Sequence, residues 1–251
     1  MFRPRVIPVL LLQKNGLVKT IRFKNGTYIG DPINAVKIFN ELKVDEIVLL
    51  DIDASKENRS INIDLVREIG EEANMPFSVG GGIKDLDHIK NIITAGAERV
   101  ILNSYAINNP DFVREAADRF GSSTISVCID YKKNLFGKNT VYTFSGEKNS
   151  KKSIREVALS MQQAGAGEII LQSIDKDGSM AGYDLELIKE ISALVTIPVI
   201  ALGGAGSPAD IESGYNYAHA TGLAAGSFFV FKGKLRGVLI QYPDVKSYRF
   251  T

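Results

Sequence analysis

One stretch of this chain is written twice, and the repeat restricts the fold more than any other feature. The run Val44-Asp45-Glu46-Ile47-Val48-Leu49-Leu50-Asp51-Ile52-Asp53 returns as Ala166-Gly167-Glu168-Ile169-Ile170-Leu171-Gln172-Ser173-Ile174-Asp175, an offset of 122 residues from Glu46 to Glu168. Gly80-Gly81-Gly82-Ile83 returns as Gly203-Gly204-Ala205-Gly206 at an offset of 123, so one register spans two separate motifs. Around these motifs, short continuous apolar runs alternate with stretches of helical period. The runs lie at 6–11, 46–51, 77–79, 99–103, 124–129, 168–172, 199–202 and 222–225, and the helical stretches at 32–42, 62–73, 86–95, 110–120, 154–164, 185–194 and 208–217. Continuous apolar strands are buried on both faces, as in a parallel sheet flanked by helices. Eight such strand and helix units, with a half-length repeat, predict a single closed (β/α)8 barrel over residues 1–251. Its half-barrels span about 1–122 and 123–240, with a tail at 241–251. An open doubly wound sheet is the alternative, and it seldom duplicates so evenly.

Composition narrows the function classes. Thirty basic residues against 29 acidic ones leave a net charge of +1, with both signs scattered, so no long-range field points to nucleic acid or an anionic membrane. The longest apolar runs fall well short of the roughly 18 residues that span a bilayer, and Met1-Phe2-Arg3-Pro4-Arg5 leads into a strand rather than a signal segment. The single cysteine, Cys128, has no intrachain partner, which fits a reducing compartment, and a cytoplasmic protein is expected. His88 and His219 stand alone, so neither a metal nor another cofactor is expected, and no Ser-His-Asp or Cys-His set is visible.

Two insertions interrupt the rhythm, at 13–31 after the first strand and at 131–150 after the fifth. The first is polar and rich in Lys and Gly; the second alternates like a hairpin. Both follow strand C-terminal ends, the face that carries barrel active sites, so both are lid candidates. The stretch Tyr242-Pro243-Asp244 reads as a surface tail.

The same face collects the chemistry. Gly81 and Gly82 follow the third strand, Asn103 and Ser104 the fourth, Gly178 the sixth, Gly203 and Gly204 the seventh, and Ala225, Gly226 and Ser227 the eighth. Glycines at a strand-to-helix turn let backbone amides approach a phosphate closely, so two symmetric corners suggest a substrate with a phosphate at each end. Each glycine pair alone is equally well explained as a tight turn. Asp51, Asp130 and Asp177 converge on this mouth as acid/base or substrate-contacting candidates, against the plainer reading of each as a cap or turn residue. Lys19 either orders the first insertion against an anionic ligand or is solvated. The fifth strand ends in Asp130, whereas the first ends in Leu11. On the opposite face Arg5, Glu46, Arg99 and Glu168 stand at strand starts, either as a ring of ion pairs across the barrel floor or as solvated ends.

With these residues assembled, the chain resembles the cyclase subunit of imidazole glycerol phosphate synthase over essentially its whole length. The resemblance rests on Ile7-Pro8, Gly30-Asp31-Pro32, Asp51-Ile52-Asp53-Ala54-Ser55, Val79-Gly80-Gly81-Gly82-Ile83, Phe120-Gly121-Ser122, Ala164-Gly165-Ala166-Gly167-Glu168-Ile169, Ser173-Ile174-Asp175-Lys176-Asp177-Gly178 and Gly203-Gly204-Ala205-Gly206. It implies a substrate with two phosphates and a glutaminase subunit docked on the barrel floor. It also implies ammonia passing through the barrel by a gate matching Arg5, Glu46, Arg99 and Glu168, with Glu98 matching an acidic interface position. Of the family's two catalytic carboxylates, Asp130 matches the second and Leu11 stands at the first, while Gln172 replaces a usual Thr and Leu202 a small polar residue. Loss of one of two acid/base groups raises a barrier by about 3 to 5 kcal/mol if nothing replaces it. Val9-Leu10-Leu11-Leu12, with Gly16-Leu17-Val18-Lys19-Thr20 and the run from Phe231 to Ile240, looks like a branch of the family associated with acetamidino modification of surface-glycan sugars. There a barrel and its glutaminase supply ammonia to a separate sugar amidotransferase. Three readings therefore stand: an ammonia-supplying paralogue for sugar amidination, a histidine-pathway cyclase, and a non-catalytic conduit and scaffold.

Overall fold

The computed structural model describes residues 3–14, 16–134, 137–233 and 235–251. Asn15, Leu135, Phe136 and Lys234, which fall in the two insertions and the run before the tail, lie outside the described residues, as do Met1 and Phe2. The chain opens with β1 (Arg5–Gln13), β2 (Gly16–Ile21), β3 (Lys24–Gly30), α1 (Pro32–Glu41), β4 (Ile47–Asp51) and α2 (Ile63–Glu72). It continues through β5 (Phe77–Gly80), α3 (Leu86–Thr94), β6 (Arg99–Leu102), α4 (Ser104–Asn108), α5 (Pro110–Phe120), β7 (Ile125–Lys133), β8 (Asn139–Thr143) and β9 (Lys148–Asn149). It ends with α6 (Ile154–Gln163), β10 (Glu168–Ser173), α7 (Leu185–Leu194), β11 (Val199–Leu202), α8 (Pro208–Asn216), β12 (Gly222–Ala225), α9 (Ser227–Val230), β13 (Phe231–Lys232) and β14 (Gly237–Val238).

Eight parallel strands close on themselves in the order β1, β4, β5, β6, β7, β10, β11, β12 and back to β1. The fold is the predicted (β/α)8 barrel. Two apolar layers hold it. Inside the barrel, Ile7, Val48, Cys128, Ile170 and Ile200 pack with Leu202, and Leu11 and Leu50 sit against this cluster near the mouth. Outside, the helices lay their apolar stripes on the sheet in a much larger cluster that includes Phe39, Ile69, Ile92, Val113, Met161 and Ile191. Local signals start the helices where expected: Asp31 accepts from the Asn34 amide ahead of Pro32, and Ser153 and Glu156 form a reciprocal capping box.

Two regions differ from the sequence expectation, the first insertion and the C-terminal stretch, while the second insertion meets it. The first insertion is not an irregular polar loop. β1 runs on to Gln13 and turns antiparallel into β2, with Leu11 opposite Val18, and β2 pairs with β3. Leu17, Val18, Lys19 and Thr20 are all buried, because β2 lies against the mouth and buries polar side chains there beside apolar ones. The second insertion is the predicted hairpin, with Tyr131 opposite Val141. Finally, Tyr242 is no loose tail residue. Its hydroxyl donates to Val6 O at 2.9 Å, and its ring stacks on Phe229, fastening the C-terminus beside the barrel floor.

Candidate active site

The C-terminal strand ends open into a cavity of about 380 Å³. Asp51, Asp130, Asp177 and Lys19 all line it, as do Gly81, Gly82, Asn103, Ser104, Gly178, Gly203, Gly204, Ala225, Gly226 and Ser227. The mouth residues singled out in the sequence are therefore one site. What the structure adds is how differently the three carboxylates are held.

Asp130 ends the inward-facing part of β7 and is only 6% exposed. Its Oδ2 accepts from Asn103 Nδ2 at 2.9 Å and its Oδ1 from Cys128 Sγ at 3.4 Å. Burial pushes this carboxyl from 3.8 up to about 7, against the pull of those two hydrogen bonds and with a further upward push from Asp177. A group with that proton affinity can give or take a proton near neutral pH.

Asp51 is committed elsewhere. Its Oδ1 accepts from the Asp53 and Ala54 amides at 3.1 and 3.0 Å, and Arg59 holds both its oxygens, at 2.5 Å to Oδ2 and 3.3 Å to Oδ1. This is a clamped carboxylate that organises the loop after β4. Asp177 ties the second half to β2: its Oδ2 accepts from Thr20 Oγ1 at 2.7 Å and from the Phe23 amide at 3.2 Å. Burial raises its proton affinity, opposed by those bonds and by Lys19. Lys19 is not solvated; it is 4% exposed, donates to the Val9 carbonyl, and is brought by burial from 10.5 down to about 8. Leu11 lines the cavity from near the end of β1, and Leu50, Leu202 and Val9 line it too, so apolar side chains share the inner part of the mouth with Asp130.

The glycine corners satisfy the turn reading whether or not a ligand binds. Gly82 has φ of +63°, and a Cβ there would stand 1.8 Å from the Arg59 carbonyl; Gly204 has φ of +113°, and a Cβ would stand 2.2 Å from Gly182 O. Asn103 and Ser104, expected as phosphate contacts, are also engaged within the protein: Asn103 donates to Asp130, and Ser104 donates to Asn103.

Sequence reasoning missed three contributors. Arg59 clamps Asp51 from eight residues downstream, and the only available signal was a cation in the loop that follows that strand. Arg236 reaches from the segment between β13 and β14 to Gly178 O at 3.0 Å and Ser227 Oγ at 3.1 Å, and stacks on Phe231. No sequence signal joins residues 58 positions apart in this way. The tip between β8 and β9 reaches across the mouth, where Ser145 Oγ donates to Ile52 O at 2.9 Å and Lys56 pairs with Glu147 at 2.6 Å.

At the floor the four charges meet. Arg5 spans both glutamates, at 2.6 Å to Glu46 and 2.7 Å to Glu168, and Arg99 stands 3.6 and 4.0 Å from the same two. Ser78 donates to Glu46 and Ser126 to Glu168, each at 2.7 Å. The glutamates are buried and the arginines partly so, which excludes the solvated reading of these strand ends. Glu98 is exposed beside Arg99. No cluster of three metal-ligating side chains and no helix long and apolar enough to cross a membrane occurs among the described residues.

Comparison with known proteins fits this geometry. The family model described as "Histidine biosynthesis protein" matches residues 5–236. The chain belongs to the HisF family. A Pseudomonas aeruginosa protein named "Putative imidazole glycerol phosphate synthase subunit hisF2" is 48% identical over 245 residues, 98% of each chain. Imidazole glycerol phosphate synthase subunits HisF are 44% identical in Thermococcus onnurineus, over 94% of this chain and 93% of that one, and 39% identical in Streptococcus sanguinis, over 91% of each. This chain is thus a HisF-like barrel of the cyclase-subunit type, and the stretch beyond Arg236 lies outside the family match.

Proposed function

We propose that this HisF-like barrel receives ammonia from a glutaminase subunit docked on its N-terminal face and serves acetamidino modification of a surface-glycan sugar, in the cytoplasm. The observation that carries the reading is the state of the mouth: Leu11 stands where a second acid is needed, and neither neighbouring carboxylate takes its place. Asp51 is clamped by Arg59 and two amides, and Asp177 is engaged by Thr20 and Phe23. Ring closure by paired acid/base groups, each worth about 10²- to 10⁴-fold, has one partner here and not two.

The rest of the barrel supports delivery. The ring of Arg5, Glu46, Arg99 and Glu168 closes the floor, and movement of Arg5 away from its two glutamates opens an axial passage. The interior above it is apolar, which admits neutral ammonia and excludes ammonium and other ions. Exposed Glu98 belongs to the glutaminase-facing surface. The two glycine corners hold a phosphorylated ligand by backbone amides, the first at Gly81, Gly82, Asn103 and Ser104. The second comprises Gly178, Gly203, Gly204, Ala225, Gly226 and Ser227, with Arg236 adding charge. A separate sugar amidotransferase at the mouth uses the ammonia to convert an acetamido into an acetamidino group.

The test supplies the purified barrel and its glutaminase with an ammonium salt and the histidine-pathway ribonucleotide. Absence of imidazole formation is expected, together with failure to rescue a cyclase-deficient histidine auxotroph despite soluble expression. Robust imidazole formation would overturn the proposal. One observation favours the competing cyclase reading, namely the Asp130 carboxyl with a proton affinity suited to acid/base work. A conduit without chemistry of its own is separated from both by Asp130→Asn, which on that reading leaves amidination intact while Glu46→Ala or Arg99→Ala impairs it.

A further inference from the structure

Ser104 stands in the middle of a chain of hydrogen bonds that starts on the hairpin tip and ends on Asp130. The Phe144 amide donates to Ser104 Oγ at 2.8 Å, Ser104 Oγ donates to Asn103 Oδ1 at 3.1 Å, and Asn103 Nδ2 donates to Asp130 Oδ2 at 2.9 Å. Each link fixes the polarity of the next. A backbone N–H only donates, so the serine hydrogen is left for Asn103; the asparagine oxygen takes it, and only the NH2 end remains for the carboxylate. The two ends of an asparagine amide are nearly the same shape, so this network, and not packing, decides which one Asp130 meets.

The tip that supplies the first link is held from several sides. Phe144, Ser145 and Gly146 have φ of +52°, +53° and +80°, three successive left-handed residues of which two are not glycine. Such a turn persists where its surroundings hold it. Here Ser145 Oγ donates to Ile52 O, Lys132 Nζ to Gly146 O at 3.0 Å, and Lys56 pairs with Glu147.

We infer that Ser104 is a positioning residue that transmits the seating of the hairpin tip to the orientation of the Asn103 amide on Asp130. With the tip seated, Asn103 presents N–H to the carboxylate and stabilises its charged form. With the tip lifted, the Ser104 hydroxyl turns freely, Asn103 can present its oxygen instead, and the protonated carboxyl becomes the better partner. Asp130 therefore takes up a proton as the mouth opens and releases it as the mouth closes. The other groups facing Asp130 do not touch Ser104: Cys128 on β7, neutral Gln172 on β10, and Asp177 with its neighbour Lys19, while Asp51 is held by Arg59. The value of this coupling to the protein rests on the proposed role of Asp130, but its test does not.

That test follows the Asp130 side-chain carbon by NMR in the full chain carrying 13C-labelled aspartate, its resonance identified by its absence in Asp130→Asn. Ser104→Ala is expected to move the titration midpoint upward by about 0.5 to 1 unit, the worth of one hydrogen bond to the charged form, and Ser104→Thr to return it toward wild type. Ser145→Ala, which loosens the tip without touching the relay, should shift Asp130 in the same direction in the wild-type chain and have no further effect alongside Ser104→Ala. A midpoint unchanged by Ser104→Ala to within about 0.2 unit would overturn the inference, as would an equal Ser145→Ala effect with and without Ser104. Should Ser104→Ala not fold, Ser145→Ala in the wild-type chain decides: an unmoved midpoint overturns the inference and an upward shift supports it.

Discussion

Replacing Asp130 by Asn should make the protein more stable in mild alkali and leave it no more stable in acid. The carboxyl is held at about 7 in the folded chain against 3.8 as an ordinary value. At about 1.4 kcal/mol per unit, that difference is worth about 4 kcal/mol. The sign follows from which state binds the proton more tightly. Below about pH 4 the group is protonated whether the chain is folded or not, and it costs nothing. As pH rises through 3.8 the unfolded chain ionises freely while the folded one keeps its proton, so stability falls. The fall is complete only above about pH 7, where the folded group ionises too, in a buried site. Asn carries no charge and escapes the penalty, but its NH2 meets one of the two donors now serving the carboxylate, Asn103 or Cys128, and forfeits about 1 kcal/mol of hydrogen bonding.

Asp130→Asn should therefore gain about 3 kcal/mol over wild type at pH 8 and be about 1 kcal/mol less stable at pH 4. Urea unfolding of both proteins across this range, followed by far-ultraviolet circular dichroism, gives the comparison directly. Curves that run parallel with pH would refute the reasoning, because they would mean that Asp130 ionises in the fold as easily as in the unfolded chain.

Other perturbations test other parts of the molecule. Arg5→Ala leaves buried Glu46 and Glu168 facing each other with only the more distant Arg99, and should cost about 3 kcal/mol, seen as a lower thermal midpoint. The loss should be smaller at pH 5 than at pH 8, since protonating a glutamate removes the repulsion; equal losses would argue against charge as the cause. Gly82→Ala drives a Cβ to 1.8 Å from the Arg59 carbonyl at a φ of +63°, displacing the loop that clamps Asp51. Calorimetry with a phosphate ester should show at least about tenfold weaker binding, and unchanged affinity would remove the first corner from the ligand site. Leu11→Asp alone should give little imidazole formation with ammonium, because a carboxyl placed among Leu50, Leu202 and Val9 stays protonated. Combined with Leu202→Ser and Gln172→Thr it should gain about 10²-fold or more. Full activity from the single change would show that the neighbouring residues are immaterial.

The barrel was legible because its strands are short, largely apolar runs whose polar residues fall mostly toward their ends, and eight such runs with a half-length repeat leave few arrangements open. β2 was hidden for the opposite reason. Lys19 and Thr20 look like loop residues, and only a polar cavity wall makes their burial affordable. The floor ring was readable as charges at strand starts, but not its wiring, in which one arginine spans both glutamates. At the mouth the members could be named from their places at strand ends, whereas their duties could not. Asn103 and Asp130 meet because β6 and β7 are neighbours in the sheet, and Asp51 is spent on Arg59 because the loop after β4 folds back. Those facts belong to three-dimensional adjacency, which periodicity along one strand does not encode.

The height of the departures within the barrel also carries meaning. Leu11, Gln172 and Leu202 stand where the resemblance leads one to expect Asp, Thr and a small polar residue, and they occupy one level. Gln172 is in register with Asp130 on one side and Leu202 on the other, and Leu11 lines the same cavity from β1. The level below keeps its four charges with their serine partners, and the level above keeps both glycine corners. A barrel drifting after loss of function would shed polar residues at every level, since nothing ties the upkeep of the floor to that of the mouth. On the proposed function, departures confined to a single level, with the floor charges and the glycine corners present on either side, fit a change of chemistry at that level. The acid at that level is linked through Asn103 and Ser104 to the hairpin tip, so the coupling inferred above would join the proton-handling part of the site to the seating of that tip.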